Sequence, residues 1–430
     1  MLFKDITVLD ENLEIREHAY VTVEDGKVAS ISESAPSNYK GEVYEGSGKL
    51  LMSGFYNAHA HSPMALMRGY GENLKLQDWL NKRIFPFEDK LTGEDVYNGT
   101  MLCMAESFRY GIVSTSDMYY FCNDMARAVI ESGAKANISR SIVNFGGKNP
   151  AELAAMKECE KLYSEFHGAG EGRVRNDMSL HAEYTSDPAT AKYLADFAGT
   201  LDTVNHIHVS ETELEHRECI ERHGKTPAAY LAEAGLFDRP AIAAHCVWSD
   251  EHDLDIFAEK GVTVATNPVS NMKLASGICD VSKVLAKGVN LAIGTDSVAS
   301  NNSLNFIEEM KVMAIGCKAK SGSAEAITPE ETLRAATAGG ARAQGRRDCG
   351  ALKAGNCADL IVLDISGPNM HPVHKMVNNI VYSASGSDVV LTMIDGQVVY
   401  RDGEYPTIDI EKVIYNAEAS TKNILESLNV

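Results

Sequence analysis

The sequence predicts an α/β chain built on a closed (β/α)8 barrel, with β-rich segments on either side of it. Two observations predict it. Apolar, β-prone runs recur at 51–57, 111–116, 136–143, 178–182, 204–209, 241–247, 262–266 and 290–294, and helical patterns such as 93–110, 151–166, 188–198 and 250–259 lie between them. Eight strands alternating with helices fit a barrel better than an open doubly wound sheet, because no glycine-rich dinucleotide turn follows the first strand. The second observation is a shared texture at the two ends. Short strands flank Asp25-Gly26 near the start and Asp395-Gly396 near the end, both strong two-residue hairpin turns.

The elements follow in order. The first part, 1–52, reads as short strands, with hairpin arms at 20–23 and 27–31. The barrel is expected over 53–345. A second β-rich part over 346–405 holds a buried-strand run at 358–363 and hairpin arms at 391–394 and 397–400. A C-terminal segment, 406–430, carries an amphipathic helix over about 408–428. The two β-rich parts are expected to meet, since chain ends are often close. At 430 residues the chain is too long for one ordinary core but suits a large barrel and a small partner domain.

Composition narrows the function classes. Sixty acidic against forty basic residues give a formal charge of −20, a surface that repels nucleic acid and anionic membranes. Nine cysteines, an odd number with no Cys-x-x-Cys, argue against a disulfide framework or zinc knuckle. With no basic-then-apolar leader and no run of eighteen apolar residues, the expectation is a cytoplasmic protein acting on a small molecule. Self-association into a homo-oligomer is left open.

Chemistry concentrates at the predicted strand ends. The first barrel strand ends Asn57-Ala58-His59-Ala60-His61. Residues two apart on a strand share a face, so His59 and His61 form half of a metal site at the barrel mouth. Strand five ends His206-Ile207-His208-Val209-Ser210-Glu211, strand six ends in His245, and strand eight runs Gly294-Thr295-Asp296. Buried polar groups cost a few kcal/mol unless satisfied, and one cation would satisfy these together. The expected ligands are His59, His61, His208 and Asp296, a set that suits Zn²⁺, with Fe²⁺ or Mn²⁺ as alternatives. Such a cation makes water nucleophilic at neutral pH. Asp296 can take that water's proton, and His245 is better placed to hydrogen-bond the water than to bind the cation. Glu211, three residues past His208, can carry a proton to a ring nitrogen and then to a leaving amine. His206 is expected to be a satisfied core histidine one layer deeper. His216, His223, His252, His371 and His374 have no partner pattern and are expected at the surface.

These motifs resemble the amidohydrolase superfamily over nearly the whole chain, and within it the 5′-methylthioadenosine/S-adenosylhomocysteine deaminase group. The resemblance rests on segments 54–64, 66–69, 208–212, 244–247, 267–274 and 294–296, with Ser300-Asn301-Asn302. It implies a distorted TIM-like barrel with one metal ion, and a β-sandwich made from both chain ends. It also implies that Trp79 and Glu88 lie near a nucleoside, with Glu88 accepting hydrogen bonds from ribose hydroxyls, and that Arg140 and His181 touch substrate. The implied reaction is hydrolytic deamination of an adenine nucleoside (methylthioadenosine, S-adenosylhomocysteine, adenosine or 5′-deoxyadenosine) to the inosine analogue and ammonia. The competing substrates are other nitrogen heterocycles: guanine, an oxidised purine, a pterin or a triazine. A non-catalytic scaffold is the remote alternative. One departure stands out. The family has a second arginine shortly after Arg140, whereas here the next is Arg173 and the nearest cation is Lys148. A lysine cannot grip a carboxylate in the bidentate manner of arginine.

Overall fold

The computed structural model of the protein describes residues 1–429. Eight strands form one parallel sheet in consecutive order: Phe55–Ala60, Ile112–Tyr119, Lys135–Ile142, Val174–Ala182, Asn205–Val209, Ala241–His245, Thr263–Thr266 and Asn290–Ile293. Every neighbouring pair is parallel. The ring closes between the eighth and first strands without a full ladder. Ala60 bridges Asp296, the Asp296 N–H donates to the His59 carbonyl at 2.9 Å, and the Asn57 amide exchanges two bonds with Thr295, 2.7 and 3.0 Å long. This irregular seam sets His59 beside Asp296.

The intervening helices start and stop where their sequences direct. Gly93–Arg109 opens with a capping box made by Thr92 and Asp95. Pro188–Ala198 begins with an Asp187 cap and a proline in its first turn. Glu251–Lys260 is capped by Asp250 and ends at Gly261 with φ +67°. The N-terminal caps satisfy backbone donors that a helix start leaves free, and the Gly261 N–H serves the free carbonyls at the other end.

The apolar run 51–57 proves to be two strands. Lys49–Ser53 pairs with Leu2–Leu9 and Leu360–Asp364 in a separate sheet, and the first barrel strand begins only at Phe55. Gly54 makes the crossing: a Cβ there would lie 2.3 Å from Val113 Cγ1. Apolar patterning reads straight through such a junction, because both strands are buried.

The separate sheet joins both chain ends. Its order is Gln397–Arg401, Val389–Ile394, Leu360–Asp364, Lys49–Ser53, Leu2–Leu9, Ile15–Glu24 and Lys27–Ser32, with Val43–Glu45 added beside Leu2–Leu9. Phe3, Val21, Val28, Leu51, Leu360 and Leu391, drawn from both ends, share one core. The two hairpin turns have φ of 48° and 75° at Asp25-Gly26, and 46° and 76° at Asp395-Gly396, which are type I′ values. They rest on each other through Ala358, whose N–H donates to Gly26 and whose carbonyl accepts from Gly396.

A buried ion pair ties this sheet to the barrel's base. Lys135 Nζ reaches both Asp359 oxygens at 2.8 and 2.6 Å and Asp395 Oδ1 at 2.6 Å, while the Tyr56 hydroxyl donates to Asp359 at 2.7 Å. Ile410–Ser427 forms the C-terminal helix and packs on Gly93–Arg109, where Asn98 donates to Ser420 at 3.1 Å. Among the described residues, no helix is long and apolar enough to cross a membrane.

Candidate active site

His59, His61, His208, His245 and Asp296 converge at the C-terminal ends of the barrel strands. Ligand atoms of His59, His61 and His208 lie within 4.8 Å of one another, as do those of His59, His245 and Asp296. Asp296 Oδ1 is 3.5 Å from His59 Nε2 and 3.3 Å from His61 Nε2. Ser210, His245 and Asp296 all have positive φ, at 49°, 72° and 60°. Left-handed backbone at a non-glycine residue costs on the order of 1–3 kcal/mol, and three such residues at the ends of strands five, six and eight mark the mouth as the place where the fold bends to aim side chains.

Hydrogen bonds fix which nitrogen of each ring faces inward. His61 Nδ1 is 2.7 Å from the Met118 carbonyl, and His208 Nδ1 is 2.6 Å from the His181 carbonyl. A carbonyl only accepts, so both Nδ1 atoms carry a proton and both Nε2 atoms turn toward the shared centre. Those Nε2 atoms face each other at 3.3 Å. His59 Nδ1 contacts His206 Nε2 at 2.9 Å, and His59 Nε2 is buried with no partner. Two facing imidazole nitrogens, an orphaned third and a carboxylate oxygen thus converge on one point. A divalent cation fits it: the donors are three nitrogens and one oxygen with their outer atoms already satisfied.

Burial and Asp296 set the electrostatics of these rings. Burial pushes His59 down to about 3, against the pull of Asp296. Burial acts on His61 in the same sense, yet Asp296 overrides it and holds that ring up at about 9. Burial favours the neutral form of Asp296, but the imidazoles prevail and hold it well below the usual carboxylate range. Its second oxygen accepts from Ser270 at 2.6 Å and Ser300 at 3.1 Å, which leaves Oδ1 to face the imidazoles.

The expected proton-handling residues sit beside this cluster. Glu211 Oε2 is 3.8 Å from His245 Nε2, and burial raises the Glu211 carboxyl above its ordinary value. Glu215 accepts from the N–H groups of Ser210 and Glu211 at 2.9 and 2.8 Å, holding the turn that presents Glu211. His245 Nδ1 is 2.8 Å from Asn271 Oδ1 and 3.1 Å from Asn267 Nδ2, so its Nε2 is the atom turned toward Glu211.

One cavity joins these groups. Its lining includes His61, His208, Glu211, His245 and Asp296 together with Trp79, Glu88, Tyr119 and His181. Leu76, Trp79, Leu80, Ile84, Phe85 and Glu88 all come from the segment after the first strand, which forms one wall. Arg140 is absent from the lining. Its guanidinium sits 4.8 Å from the centre of the Tyr120 ring and is paired with Glu158 and the Ser141 carbonyl. Tyr120 and Ser141, in turn, do line the cavity.

Two sequence expectations for histidines need correction, and a third needs extension. His223, expected at the surface, is half-buried and donates through Nε2 to the buried Glu183 at 2.8 Å. His216 is half-buried and bonds Ser210 at 3.0 Å. His206 is buried as expected, but it also orients His59. Ser270, Asn271 and Ser300 support the site without any sequence expectation of a role. Their only signal was membership of the segments 267–274 and 300–302.

Comparison with known proteins places this geometry. A family model described as "Amidohydrolase family" matches residues 50–399. The chain is 39% identical over 427 residues to a 5-methylthioadenosine/S-adenosylhomocysteine deaminase of Caldanaerobacter subterraneus subsp. tengcongensis, covering 99% of this chain and 98% of that one. It is 39% identical over 414 residues to a 5′-deoxyadenosine deaminase of Methanosarcina mazei, covering 95% and 94%. A crystal structure of an adenosine deaminase from Xanthomonas campestris with bound zinc superposes with a TM-score of 0.92, at 31% identity and 98% coverage of both chains. A convergent histidine–aspartate cluster at the mouth of an eight-stranded barrel, within a match spanning most of the sequence, means that this chain belongs to the amidohydrolase family.

Proposed function

We propose that this protein is an aminohydrolase that converts an adenine nucleoside to its inosine analogue and ammonia, using one divalent cation, Zn²⁺ in the simplest case. The observation that carries the proposal is a single cavity lined both by the histidine–aspartate cluster with Glu211 and by Trp79 with Glu88. His59, His61 and His208 would hold the cation through Nε2, and Asp296 through Oδ1. Such a cation with an open position brings the pKa of water from about 15.7 towards about 7 and so supplies a nucleophile at neutral pH.

The chain's own groups account for the proton traffic. Asp296, ionised by its imidazole neighbours, accepts the proton of the attacking water. Glu211, whose burial favours the protonated form, gives its proton to the ring nitrogen as the carbon bearing the amine becomes tetrahedral. The ionised Glu211 then takes the proton of the hydroxyl now on that carbon and delivers it to the amine, so that ammonia departs as the carbonyl forms, and the proton held by Asp296 returns to Glu211. His245 Nε2 steadies the attacking oxygen. Glu88, beside the buried Tyr119 hydroxyl, accepts from ribose hydroxyls. Among the described residues, no lysine or arginine lines the cavity, and Arg140 is already paired. The 5′ substituent favoured is therefore small and uncharged, as in methylthioadenosine, 5′-deoxyadenosine or adenosine, over the zwitterionic tail of S-adenosylhomocysteine.

The test is a panel of these nucleosides with guanine, an oxidised purine, a pterin and a triazine, followed by ultraviolet absorbance and ammonia release. Turnover of a free base with no turnover of any nucleoside would overturn the proposal. The same panel tests Glu88. Burial pushes its carboxyl up to about 7, against the nearby Tyr119 hydroxyl and His61. Ribose binding needs the ionised acceptor, so KM is expected to rise as pH falls through about 7, by up to tenfold per unit, with kcat little changed. In Glu88→Gln this pH dependence of KM should vanish.

His206 gives a second expectation. Partners behind a metal-binding imidazole commonly contribute 10–100-fold in metal affinity. His206→Phe removes the acceptor for His59 Nδ1, and zinc affinity in a chelator competition is expected to fall by about that factor. Unchanged affinity would show that His206 only fills the core.

A further inference from the structure

At the other end of the barrel, beside the starts of its strands, lies a second cavity of about 560 Å³. Asp348, Cys349 and Cys357 line it together. One ligand atom from each lies within 4.8 Å of the other two. Cys357 Sγ is 3.5 Å from Asp348 Oδ2, and Cys349 Sγ is 3.5 Å from Asp359 Oδ2. Seven of the nine cysteines are buried, and the two that are not are this pair. The two thiols with access to solvent therefore meet each other rather than lying scattered.

The backbone already holds this arrangement. The Cys357 N–H donates to the Asp348 carbonyl at 2.8 Å, and Cys357 bridges Lys27 at the hairpin edge. The turn between the cysteines passes through Gly350 with φ +79°, a backbone that a glycine adopts freely. Hydrogen bonding from Cys357 holds the Cys349 thiol below its ordinary value, with Lys135 acting in the same direction, while burial and Asp359 oppose. Cys357 is pushed up in return, chiefly by the same contact.

We propose that Asp348, Cys349 and Cys357 form a second cation site, selective for a thiophilic divalent ion such as Zn²⁺, Co²⁺ or Cd²⁺ and independent of the barrel-mouth cluster. Thiolate ligands select soft cations. A tetrahedral site with metal–sulfur bonds of about 2.3 Å has ligand atoms about 3.8 Å apart, so atoms within 4.8 Å need to close by no more than about an ångström. Water completes the fourth position. Occupation ionises both thiols: two S–H bonds break, two metal–sulfur bonds form, and two protons leave to solvent. The bound ion would clip the loop after the barrel to the terminal sheet, at the junction where Lys135 meets Asp359 and Asp395.

The histidine–aspartate cluster contains no sulfur, which makes the test clean. Protein stripped of metal and kept reduced is titrated with Co²⁺. Two equivalents should bind, one of them with a near-ultraviolet thiolate-to-cobalt charge-transfer band. The double variant Cys349→Ser with Cys357→Ser should bind one equivalent, lack the band and keep its nucleoside turnover. In the wild-type protein, Co²⁺ should protect Cys349 and Cys357 from alkylation, as read by peptide mass spectrometry. A single equivalent without the band, or equal alkylation of both cysteines with and without Co²⁺, would overturn the proposal. A barrel-mouth site that failed to bind would instead remove the sulfur-free equivalent, and the two failures are distinguishable.

Discussion

Glu211→Gln is expected to lower kcat by about 10²–10⁴-fold, the range a positioned general acid–base contributes, while KM and bound zinc change little. Glutamine keeps the size of the side chain and its capacity to hydrogen-bond, but it cannot release and regain a proton. Glu211 is 8% exposed and is presented by a turn that Glu215 holds through two backbone bonds, so the variant should place its amide where the carboxyl was. The nearby groups do not substitute for it. His245 has its Nδ1 held between the Asn271 and Asn267 amides, and Asp296 is held ionised by the imidazoles with its second oxygen tied to Ser270 and Ser300. Steady-state kinetics on methylthioadenosine or adenosine, with metal content measured on the same sample, decides the matter. A kcat within tenfold of the native value would assign the proton transfer to another group.

The barrel was legible because its signals are local. Alternating strands and helices repeat along the chain, and the chemistry sits where each strand run stops, so His59, His61, His208, His245 and Asp296 could be picked out by position alone. Where the chain changes from one sheet to another inside a continuous apolar run, patterning carries no mark, and the role of Gly54 shows only in its close approach to Val113. The supporting bonds were illegible for a different reason. His59 meets His206 across 147 positions, Asp296 meets Ser270 across 26, and Lys135 meets Asp359 across 224. No period or spacing encodes such pairs, since they exist only once the ring has closed. The same holds for Arg140: its position at the mouth of strand three is readable, but its engagement with Glu158 depends on where the next helix packs.

Removing the cation is expected to abolish turnover, by on the order of 10³-fold or more, because the pKa of the attacking water returns from about 7 towards about 15.7. Dialysis against a chelator should do this reversibly, with Zn²⁺ restoring activity to the native protein. Asp296→Ala should be inactive at any zinc concentration, since it loses both a ligand oxygen and the acceptor for the water's proton. Stability should follow occupancy. A ligand that binds only the folded state stabilises it by about 2.7 kcal/mol at a hundred times its dissociation constant, so the native Tm should climb with added Zn²⁺. Without the cation, the facing ring nitrogens of His61 and His208 and the orphaned His59 Nε2 stay crowded and buried. The Cys349→Ser, Cys357→Ser double variant isolates this term, because it removes the thiol pair at the barrel base without touching the mouth. In that background, a Tm that ignores Zn²⁺ and a chelated enzyme that still deaminates would together show that the histidine–aspartate cluster is not a cation site.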